Sequence, residues 1–304
     1  MAETPQPGEL RRFLLESQPL RGQWVRLGTV WGELLALRSY PPAVEALLGE
    51  FAAAAALLAA TLKFEGTLTL QLAGSGRVRL LVAQCSDSFQ LRAVAHHDLA
   101  AGELPEFAAL VGAGRLTVTV QSDTTSARYQ GIVPLAGANL AACLENYFAS
   151  SEQLPTRLLL AADSAQAGGL LLQKLPSGQS VGGEAAGAQL QQTWEELQAG
   201  LQALPAQQLL GGTAEDIVRQ VAGEHDCRLF SPTPVQFSCR CSAQRVADVL
   251  RSLGADEAHA TLAEQGAIVV QCEFCGREYR YDAVDVEQLF AAEATLQQGS
   301  DSVN

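Results

Sequence analysis

The sequence predicts an α+β protein with an N-terminal, mainly antiparallel sheet domain and packed helices, a helical linker and a small C-terminal zinc-binding domain. Three observations lead to this prediction. The first half of the chain alternates hairpin-like strand pairs with helical segments. A Gly/Ser/Ala-rich stretch over 177–189 interrupts that pattern. Four cysteines, arranged as a CxC pair and a CxxC pair, lie near the end of the chain.

The N-terminal domain, predicted over 1–176, starts with an extended segment over 21–31 and a long Ala-rich helix over 43–64. Pro41 and Pro42 fit the first turn of this helix, where a missing N–H removes no helical hydrogen bond. The helix has too few consecutive apolar residues to cross a bilayer, so we expect it to be buried in the core.

The rest of this domain is predicted to consist of strand hairpins and one further helix. The segment 67–85 predicts two strands joined at Gly74-Ser75-Gly76, and its alternating apolar residues are expected to share one face: Leu68, Leu70, Leu72, Val78, Leu80 and Val82. Further strands are predicted over 89–95, 115–121, 129–135, 154–162 and 168–175. A helix over 139–151 carries Leu140, Leu144 and Tyr147 at helical spacing.

The linker, predicted over 177–227, is helical but rich in Gln, Ala and Gly. One amphipathic helix over 188–204 places its apolar residues on one stripe: Leu190, Trp194, Leu197 and Leu201. A second short helix begins at Thr213, which forms a capping-box-like pair with Asp216, and ends near Gly223. The linker has few large apolar anchors, so we expect its intrinsic stability to be low.

The C-terminal domain is predicted over 228–296, followed by a tail over 297–304. Val235, Phe237, Cys239 and Cys241 alternate, which predicts one strand with both thiols on its apolar face. A helix capped by Ser242 and ended by Gly254 follows, then a short helix over 256–265. A hairpin over 267–281 has the second cysteine pair at its turn, and a last helix carries three apolar residues: Val286, Leu289 and Phe290.

The two cysteine pairs, Cys239-x-Cys241 and Cys272-x-x-Cys275, are separated by 30 residues (272 − 241 − 1). Four thiolates at this spacing suit one tetrahedral Zn²⁺ per chain, and an all-thiolate, closed set favours zinc over other metals. An iron–sulfur cluster could use the same four ligands, but the hairpin context fits zinc better. Each pair could also close as a disulfide. A structural zinc site and a thiol sensor therefore both remain open at this point.

The other candidate residues carry weaker signals. Cys85 and Cys143 lie in apolar segments and are expected to be ordinary buried thiols. His225 and Cys227 could add ligands, but four thiolates already fill a tetrahedron. His96-His97 has no acid or nucleophile at motif spacing, and no GxGxxG or Walker-type loop is present in the sequence. We therefore predict that the protein is not an enzyme.

Composition limits the remaining function classes. The formal charge of −13, without a long basic run, argues against a zinc ribbon that binds nucleic acid. The CxxC pair lacks the βαβ context of a thioredoxin-like thiol–disulfide oxidoreductase. The first residues lack the apolar region of a signal peptide, so we expect a cytoplasmic, reducing location, where paired cysteines bind metal or do redox work.

The sequence resembles the redox-regulated 33 kDa heat-shock chaperone family of bacteria (heat shock protein 33, also called 33 kDa chaperonin). The cysteine signature of that family is CxC, a spacer of about thirty residues and CxxC. Cys239, Cys241, Cys272 and Cys275 match this signature. The segments LLGEFAAAAALLAATLKFEGTLTLQLAGSG, RYQGIVPL, LAACLENYF and SEQLPTRLLLA resemble other recurrent blocks of the family, in the same order. The similarity extends from about Phe13 to Phe290.

The resemblance implies that the reduced, zinc-bound form is inactive. Oxidants such as peroxide with heat, or hypochlorous acid, would form the disulfides Cys239–Cys241 and Cys272–Cys275. Zinc would leave, the C-terminal domain and linker would unfold, and an ATP-independent holdase, often a homodimer, would bind unfolding client proteins. Clients would later pass to ATP-dependent chaperones. No nucleic acid or membrane partner is implied.

Two features depart from that pattern. Cys227 lies near the switch but outside the four-cysteine motif, where it could form a mixed disulfide. The linker is richer in Ala, Gly and Gln than in charged residues. This second departure bears on how readily the linker exposes a surface for clients.

Overall fold

A computed structural model describes residues 6–100, 102–125, 127–176 and 183–300, with backbone only for 183–184 and 292–300. Two parts of the chain, Met1–Ser238 and Cys239–Asn304, each form a compact unit, which we call unit 1 and unit 2. The domain boundaries at 176/177, 227/228 and 296/297 stay predictions.

The strands are, in chain order, β1 (Glu9–Leu15), β2 (Leu20–Arg26), β3 (Gly66–Gly74), β4 (Val78–Ser86), β5 (Gln90–His97), β6 (Gly114–Ser122), β7 (Arg128–Pro134), β8 (Thr156–Ala162), β9 (Ala167–Lys174), β10 (Cys227–Leu229), β11 (Thr233–Pro234), β12 (Gln236–Phe237), β13 (Ile268–Gln271) and β14 (Glu278–Tyr281). The helices are α1 (Thr29–Leu37), α2 (Pro42–Thr61), α3 (Phe107–Val111), α4 (Leu140–Tyr147), α5 (Gly183–Ala203), α6 (Ala206–Gly211), α7 (Ala214–Ala222), α8 (Ala243–Leu253), α9 (Ala255–Gln265) and α10 (Ala283–Ser300). The mixed α+β class with antiparallel sheets is confirmed.

Two sheets pack on opposite sides of α2 in unit 1. The first sheet has the order β10-β1-β2-β9-β8, with β11 also paired to β1, and all its pairs are antiparallel. The second has the order β12-β5-β4-β3-β6-β7, in which only β12 is parallel to its neighbour. Helix α2 contacts strands of both sheets. Its alanines, 52–56, are fully buried because small side chains let the sheets approach closely.

Helix α2 is also the one helix among the described residues that is long and apolar enough to cross a membrane. The prediction that its apolar run is too short is therefore wrong, because the helix has 20 residues. The expectation that it is a buried core helix is confirmed, since 78% of its most apolar window lies inside the protein.

The predicted hairpin over 67–85 forms, but one of its faces differs from the prediction. Leu68, Leu70 and Leu72 are buried as expected, whereas Leu80 and Val82 face the other way. A register shift between Val78 and Leu80 inserts one extra residue, and this reverses the alternation. The residues on β4 that face the core opposite β3 are instead Leu81, Ala83 and Cys85. The shift leaves Arg79 in solvent, where it pairs with Asp98 at 2.8 Å.

The predicted extended segment 21–31 is a strand only as far as Arg26. Gly28 then turns the chain with a φ of 52°, and a Cβ at this position would lie 2.2 Å from the carbonyl oxygen of Gln6. Helix α1 starts directly after it. Trp31 is thereby buried in the core, with its indole N–H donating to the Asp163 carbonyl at 2.7 Å.

The linker helices cover the outer face of the first sheet. Helices α5, α6 and α7 bury one apolar cluster against strands of that sheet, which includes Leu190, Trp194, Leu197, Leu201, Leu209, Ile217 and Val221 from the helices and Phe13, Leu20, Trp24, Leu170 and Leu172 from the strands. The predicted stripe and the predicted cap are confirmed, with Thr213 Oγ1 accepting from the Asp216 amide at 3.2 Å. Helix α6 was not predicted, and it adds Leu209 and Leu210 as anchors.

Three predictions about the linker and the C-terminal region differ from the structure in their boundaries. Helix α5 begins at Gly183, inside the stretch predicted as irregular, while 177–182 lies outside the described residues. The segment 235–241, in which apolar residues alternate, does not form one strand. Val235 joins the core of unit 1 and β12 ends at Phe237, because the following thiols gather with the hairpin of unit 2. Helix α10 runs to Ser300, further than the predicted start of the tail, and 301–304 is not described.

Candidate metal centre

Two loops of unit 2 bring the four predicted thiols together. Cys239 and Cys241 precede α8, whose first turn is capped by Ser242: its hydroxyl accepts from the Arg245 amide at 3.2 Å. Cys272 and Cys275 lie on the turn between β13 and β14. The Cys272 amide donates to the Arg277 carbonyl at 2.9 Å, and the Cys272 carbonyl accepts from the Gly276 amide at 2.8 Å. A cap and a tight turn therefore fix the two pairs.

The four sulfur atoms form one cluster. All four Sγ atoms lie within 4.8 Å of one another, and all four residues are half-buried. Two sulfur–sulfur distances across the motif are short, 3.6 Å between Cys239 and Cys272 and 3.3 Å between Cys241 and Cys275. Sulfur ligands about 2.3 Å from a shared ion at tetrahedral angles would be separated by slightly less than 4 Å. The four cysteines could therefore hold one metal ion.

The protonation of the thiols differs across the cluster. Burial raises the pKa of Cys239, and it also raises that of Cys275, to about 12, with further contributions from the neighbouring thiols. At Cys241, burial acts in the same direction but is outweighed by the nearby Tyr279 hydroxyl and the other thiols, which lower its pKa to about 7. Cys241 is therefore the thiol of these three that ionises most readily at neutral pH.

The core of unit 2 gives the thiol cluster modest support. Among the described side chains, its buried cluster has six members, which are Ala247, Leu250, Ala258, Ile268, Val286 and Leu289. The Tyr281 hydroxyl donates to the Ala243 carbonyl at 2.8 Å and so joins the hairpin to α8. Val249 and Leu253 on α8 are apolar but 57% and 60% exposed. A core of this size leaves much of the folding free energy of unit 2 to a bound ion.

Tyr279 is the residue of this centre that sequence reasoning missed. Its hydroxyl lies beside Cys241 and contributes to the lowered pKa of that thiol. The alternation of charged and aromatic residues along β14 was the available signal, since Tyr279 and Tyr281 share the partly buried face of the strand.

The structure does not bring the weaker candidates into this centre. Cys85 and Cys143 are fully buried in the core of unit 1, and burial raises the pKa of Cys85 to about 12. Cys227 lies on β10 in unit 1, where burial raises its pKa to about 11. His225 pairs with Glu196 at 2.7 Å. Among the described residues, the cluster of four cysteines is the group of potential ligands that could hold a metal ion.

Comparisons with known proteins all point to one family, the same one that the cysteine motif resembles. The protein family described as Hsp33 protein matches residues 8–282. The 33 kDa chaperonin of Pseudomonas paraeruginosa is 45% identical over 92% of this chain and 94% of its own length. That of Nitrosococcus oceani is 42% identical over 92% and 93%. A crystal structure of the 33 kDa chaperonin (heat shock protein 33 homolog) from Thermotoga maritima has the same fold, with a TM-score of 0.79 over 94% of this chain and 99% of that one at 22% identity.

Proposed function

Since this chain belongs to the Hsp33 family of chaperones, we propose that it is a redox-regulated, ATP-independent holdase that protects unfolding proteins from aggregation. The observation that carries the proposal is the cluster of four sulfurs in a unit with a small core. The metal ligands are Cys239, Cys241, Cys272 and Cys275, and the ion is zinc. An all-sulfur, closed set of four donors at these distances is the set that zinc prefers.

Bound zinc would hold the four sulfurs as thiolates and contribute about 10–16 kcal/mol to the folding of a small unit, as in zinc-finger peptides. The thiolates are also the form that oxidants attack. In the reduced protein, the same four side chains therefore provide both the stability of unit 2 and the sensitivity to peroxide.

Oxidation removes the ligands in pairs. Cys239 with Cys241, and Cys272 with Cys275, would each give up two electrons to one peroxide molecule. Two peroxide molecules then take up four electrons and four protons and become four water molecules, while the four thiolates become two disulfides and the ion is released. Unit 2 thereby loses the binding free energy that stabilises its fold.

The output of this switch is the release of the linker. Its helices bury Leu190, Trp194, Leu197 and Leu201 against the first sheet, so their order depends on docking. Once released, both the helix stripe and the sheet face become apolar surfaces that an unfolding client can bind. A segment without fixed structure can also adapt to many partners. The mechanism uses no nucleotide, and we expect it to act in the reducing cytoplasm.

Light scattering of a thermally unfolding client protein, with zinc release recorded in parallel, tests the proposal. The reduced protein should leave client aggregation unchanged. The protein treated with peroxide at elevated temperature should release its zinc, about one ion per four thiolates, and suppress aggregation stoichiometrically. Retention of zinc after oxidation, or zinc release without suppression, would contradict the proposal. Disulfide mapping checks the pairing, and sizing of the oxidised form checks whether it is a homodimer.

A further inference from the structure

One short segment covers an edge of both sheets in unit 1. Residues 227–237, which we call the strap, contribute β10 and β11 to the outer edge of β1 and β12 to the outer edge of β5. The edge strands on the opposite sides of the sheets, β7 and β8, both contact α4, which is part of the main core. The strap therefore covers the edges that are not closed by core elements.

Backbone hydrogen bonds attach the strap to both sheets, and Val235 also buries its side chain in the core of unit 1. On β1, the Glu16 amide donates to the Asp226 carbonyl at 3.0 Å, and the Arg12 carbonyl accepts from the Phe230 amide at 2.9 Å. Further along, the Val235 amide donates to the Gly8 carbonyl at 3.0 Å. Each of the three strap strands is only two or three residues long. The pairing thus uses groups that every polypeptide carries.

The edge of β1 also offers apolar surface next to those hydrogen bonds. A cleft of about 310 Å³ lies along it, lined by Phe13 and Leu14 of β1 and by Phe230 of the strap. Leu14 is 37% exposed, whereas Phe13 is buried on the other face of the strand. Phe230, which is 41% exposed, shows that an apolar side chain of the strap lies beside Leu14 in the reduced protein. Arg12 and Arg21 line the same cleft, and no carboxylate does among the described residues. This edge therefore suits an extended, apolar segment that is not basic.

The strap lies between the two parts of the chain that the proposed switch releases. It follows the linker helix α7 directly, and Phe237 is followed after one residue by Cys239, the first of the four thiols. If unit 2 and the linker lose their order, the strap is left with a disordered chain at both ends. Short edge strands without flanking support are the elements that open first.

We propose that the edge of β1 is a docking site for extended segments of unfolding clients, with the strap as its internal occupant in the reduced protein. The inference rests on the proposed holdase function and specifies where and how clients bind. A client segment replaces the strap by pairing with the outward backbone groups of β1, a recognition mode known as β-augmentation. Because main-chain hydrogen bonds give the affinity, clients of unrelated sequence can use the same edge.

The sequence offers a direct way to lock the strap closed. Leu15 lies directly opposite Cys227, in a pair flanked by the hydrogen-bonded pairs of Glu16 with Asp226 and of Leu14 with Arg228. Such non-hydrogen-bonded pairs bring their Cα atoms to about 4.5 Å, within the range of a disulfide. In Leu15→Cys, the introduced thiol and Cys227 would lose two electrons and two protons to one peroxide molecule, giving a disulfide and two water molecules.

The test compares oxidised Leu15→Cys with oxidised Leu15→Cys/Cys227→Ser, which carries the same core change but cannot form the lock. Disulfide mapping and zinc release are recorded for both. The locked protein should release zinc like the control but lose most of its capacity to hold a client. Residue-level hydrogen exchange should show equally fast exchange in α5, α6 and α7 of both proteins. In oxidised wild-type protein, the amides of Leu14 and Glu16 should exchange quickly alone and slowly with a client bound.

Three outcomes would overturn the docking site. They are full holding by the locked protein, loss of holding accompanied by slow exchange in the linker helices, and protection of Leu14 and Glu16 that rises with protein concentration without a client. The last outcome would assign the edge to a second copy of the chain. A wild-type protein that releases zinc but holds no client would instead contradict the proposed function, and the two failures are thus distinguishable.

Discussion

Unit 1 and unit 2 are stabilised in different ways. In unit 1, the sheets pack on α2 and bury large side chains such as Trp31, Phe51 and Tyr147 completely. In unit 2, the described buried cluster consists of six side chains, and two further apolar residues, Val249 and Leu253, are more than half exposed. The first unit has a large apolar core, whereas the described part of the second has a small one beside a cluster of four thiols that could hold a metal ion.

This difference indicates how one chain can combine a stable platform with a switch. Stability that comes from apolar packing does not respond to oxidants, whereas stability that comes from metal–thiolate bonds is lost when the sulfurs are oxidised. The linker belongs to unit 1 by its contacts, but its helices pack on only one face of one sheet. Loss of the linker would therefore leave the main core around α2 in place.

Removal of one metal ligand should have the largest effect. Cys272→Ser leaves three thiolates, so we expect loss of tight zinc binding and of most of the roughly 10–16 kcal/mol that a structural zinc contributes. Limited proteolysis should then cut unit 2 and the region between Pro176 and Arg228 while leaving α2 intact. Cys227→Ser, which changes a half-buried thiol outside the cluster, is the control and should keep its zinc. Equal protection of the linker in both variants would contradict the proposed dependence of linker docking on the zinc site.

A buried carboxylate should make the stability of unit 1 depend on pH. Burial raises the pKa of Glu50 on α2 to about 7. Because the folded pKa lies above the unfolded one, the stability from this group is complete below about pH 4.5 and is lost as pH rises through 7. Glu50→Gln should therefore raise the free energy of unfolding by up to about 3 kcal/mol at pH 8 and change it little at pH 4.5.

Urea unfolding of the zinc-free protein, followed by the tryptophan fluorescence of unit 1, measures this effect. Glu45→Gln, in the first turn of the same helix, is the matched control. It should cost a few tenths of a kcal/mol, because a negative charge near a helix N-terminus is favourable. Parallel pH profiles for the two variants would show that Glu50 is not the group responsible.

Crowding between two linker helices should release the linker without touching the thiols. A Cβ on Gly200 of α5 would lie 2.5 Å from the carbonyl oxygen of Val221 on α7. We expect Gly200→Val to destabilise linker docking by about 1–3 kcal/mol and to speed hydrogen exchange in α5–α7 of the reduced, zinc-bound protein. Gly187→Val is the control on the same helix, since that position has open space. Equal exchange in the two variants would refute close packing at Gly200.

The smallest effect is expected at the cap next to the first thiol pair. Ser242→Ala removes the acceptor for the Arg245 amide and should destabilise unit 2 by about 1 kcal/mol. A competition assay with a zinc chelator should show a modest loss of zinc affinity. Ser252→Ala, at an exposed hydroxyl near the end of α8, should leave the affinity unchanged.

Local patterns predicted the elements around the four clustered cysteines well because these elements follow short-range rules. The Ser242 cap, the helix end at Gly254 and the turn that carries the CxxC pair were all predicted from residue type and spacing. The same holds for the linker stripe from Leu190 to Leu201. In each case, the structure depends on neighbours within a few residues, and short-range rules describe such contacts.

The missed features depend on contacts that are distant in sequence. The register shift at Arg79 arises in the pairing of β4 with β5, and Arg79 forms an ion pair with Asp98, which directly follows β5. Val235 and Cys239 alternate as one strand would, yet the first belongs to the core of unit 1 and the second to the thiol cluster of unit 2. Tyr279 is significant only because folding places its hydroxyl beside Cys241. In each case the interacting residue is distant in the sequence, so a local pattern could not predict the contact.

The central claim is that oxidation of the four thiols unfolds unit 2 and the linker while the core of unit 1 stays folded. Residue-level hydrogen exchange before and after peroxide treatment tests it most directly. Amides of α5–α10 should become fast-exchanging as zinc is released, whereas amides of α2 and β3–β6 should keep their protection. Unchanged protection of α5–α7 after complete zinc release, or simultaneous loss of protection in α2, would contradict this account.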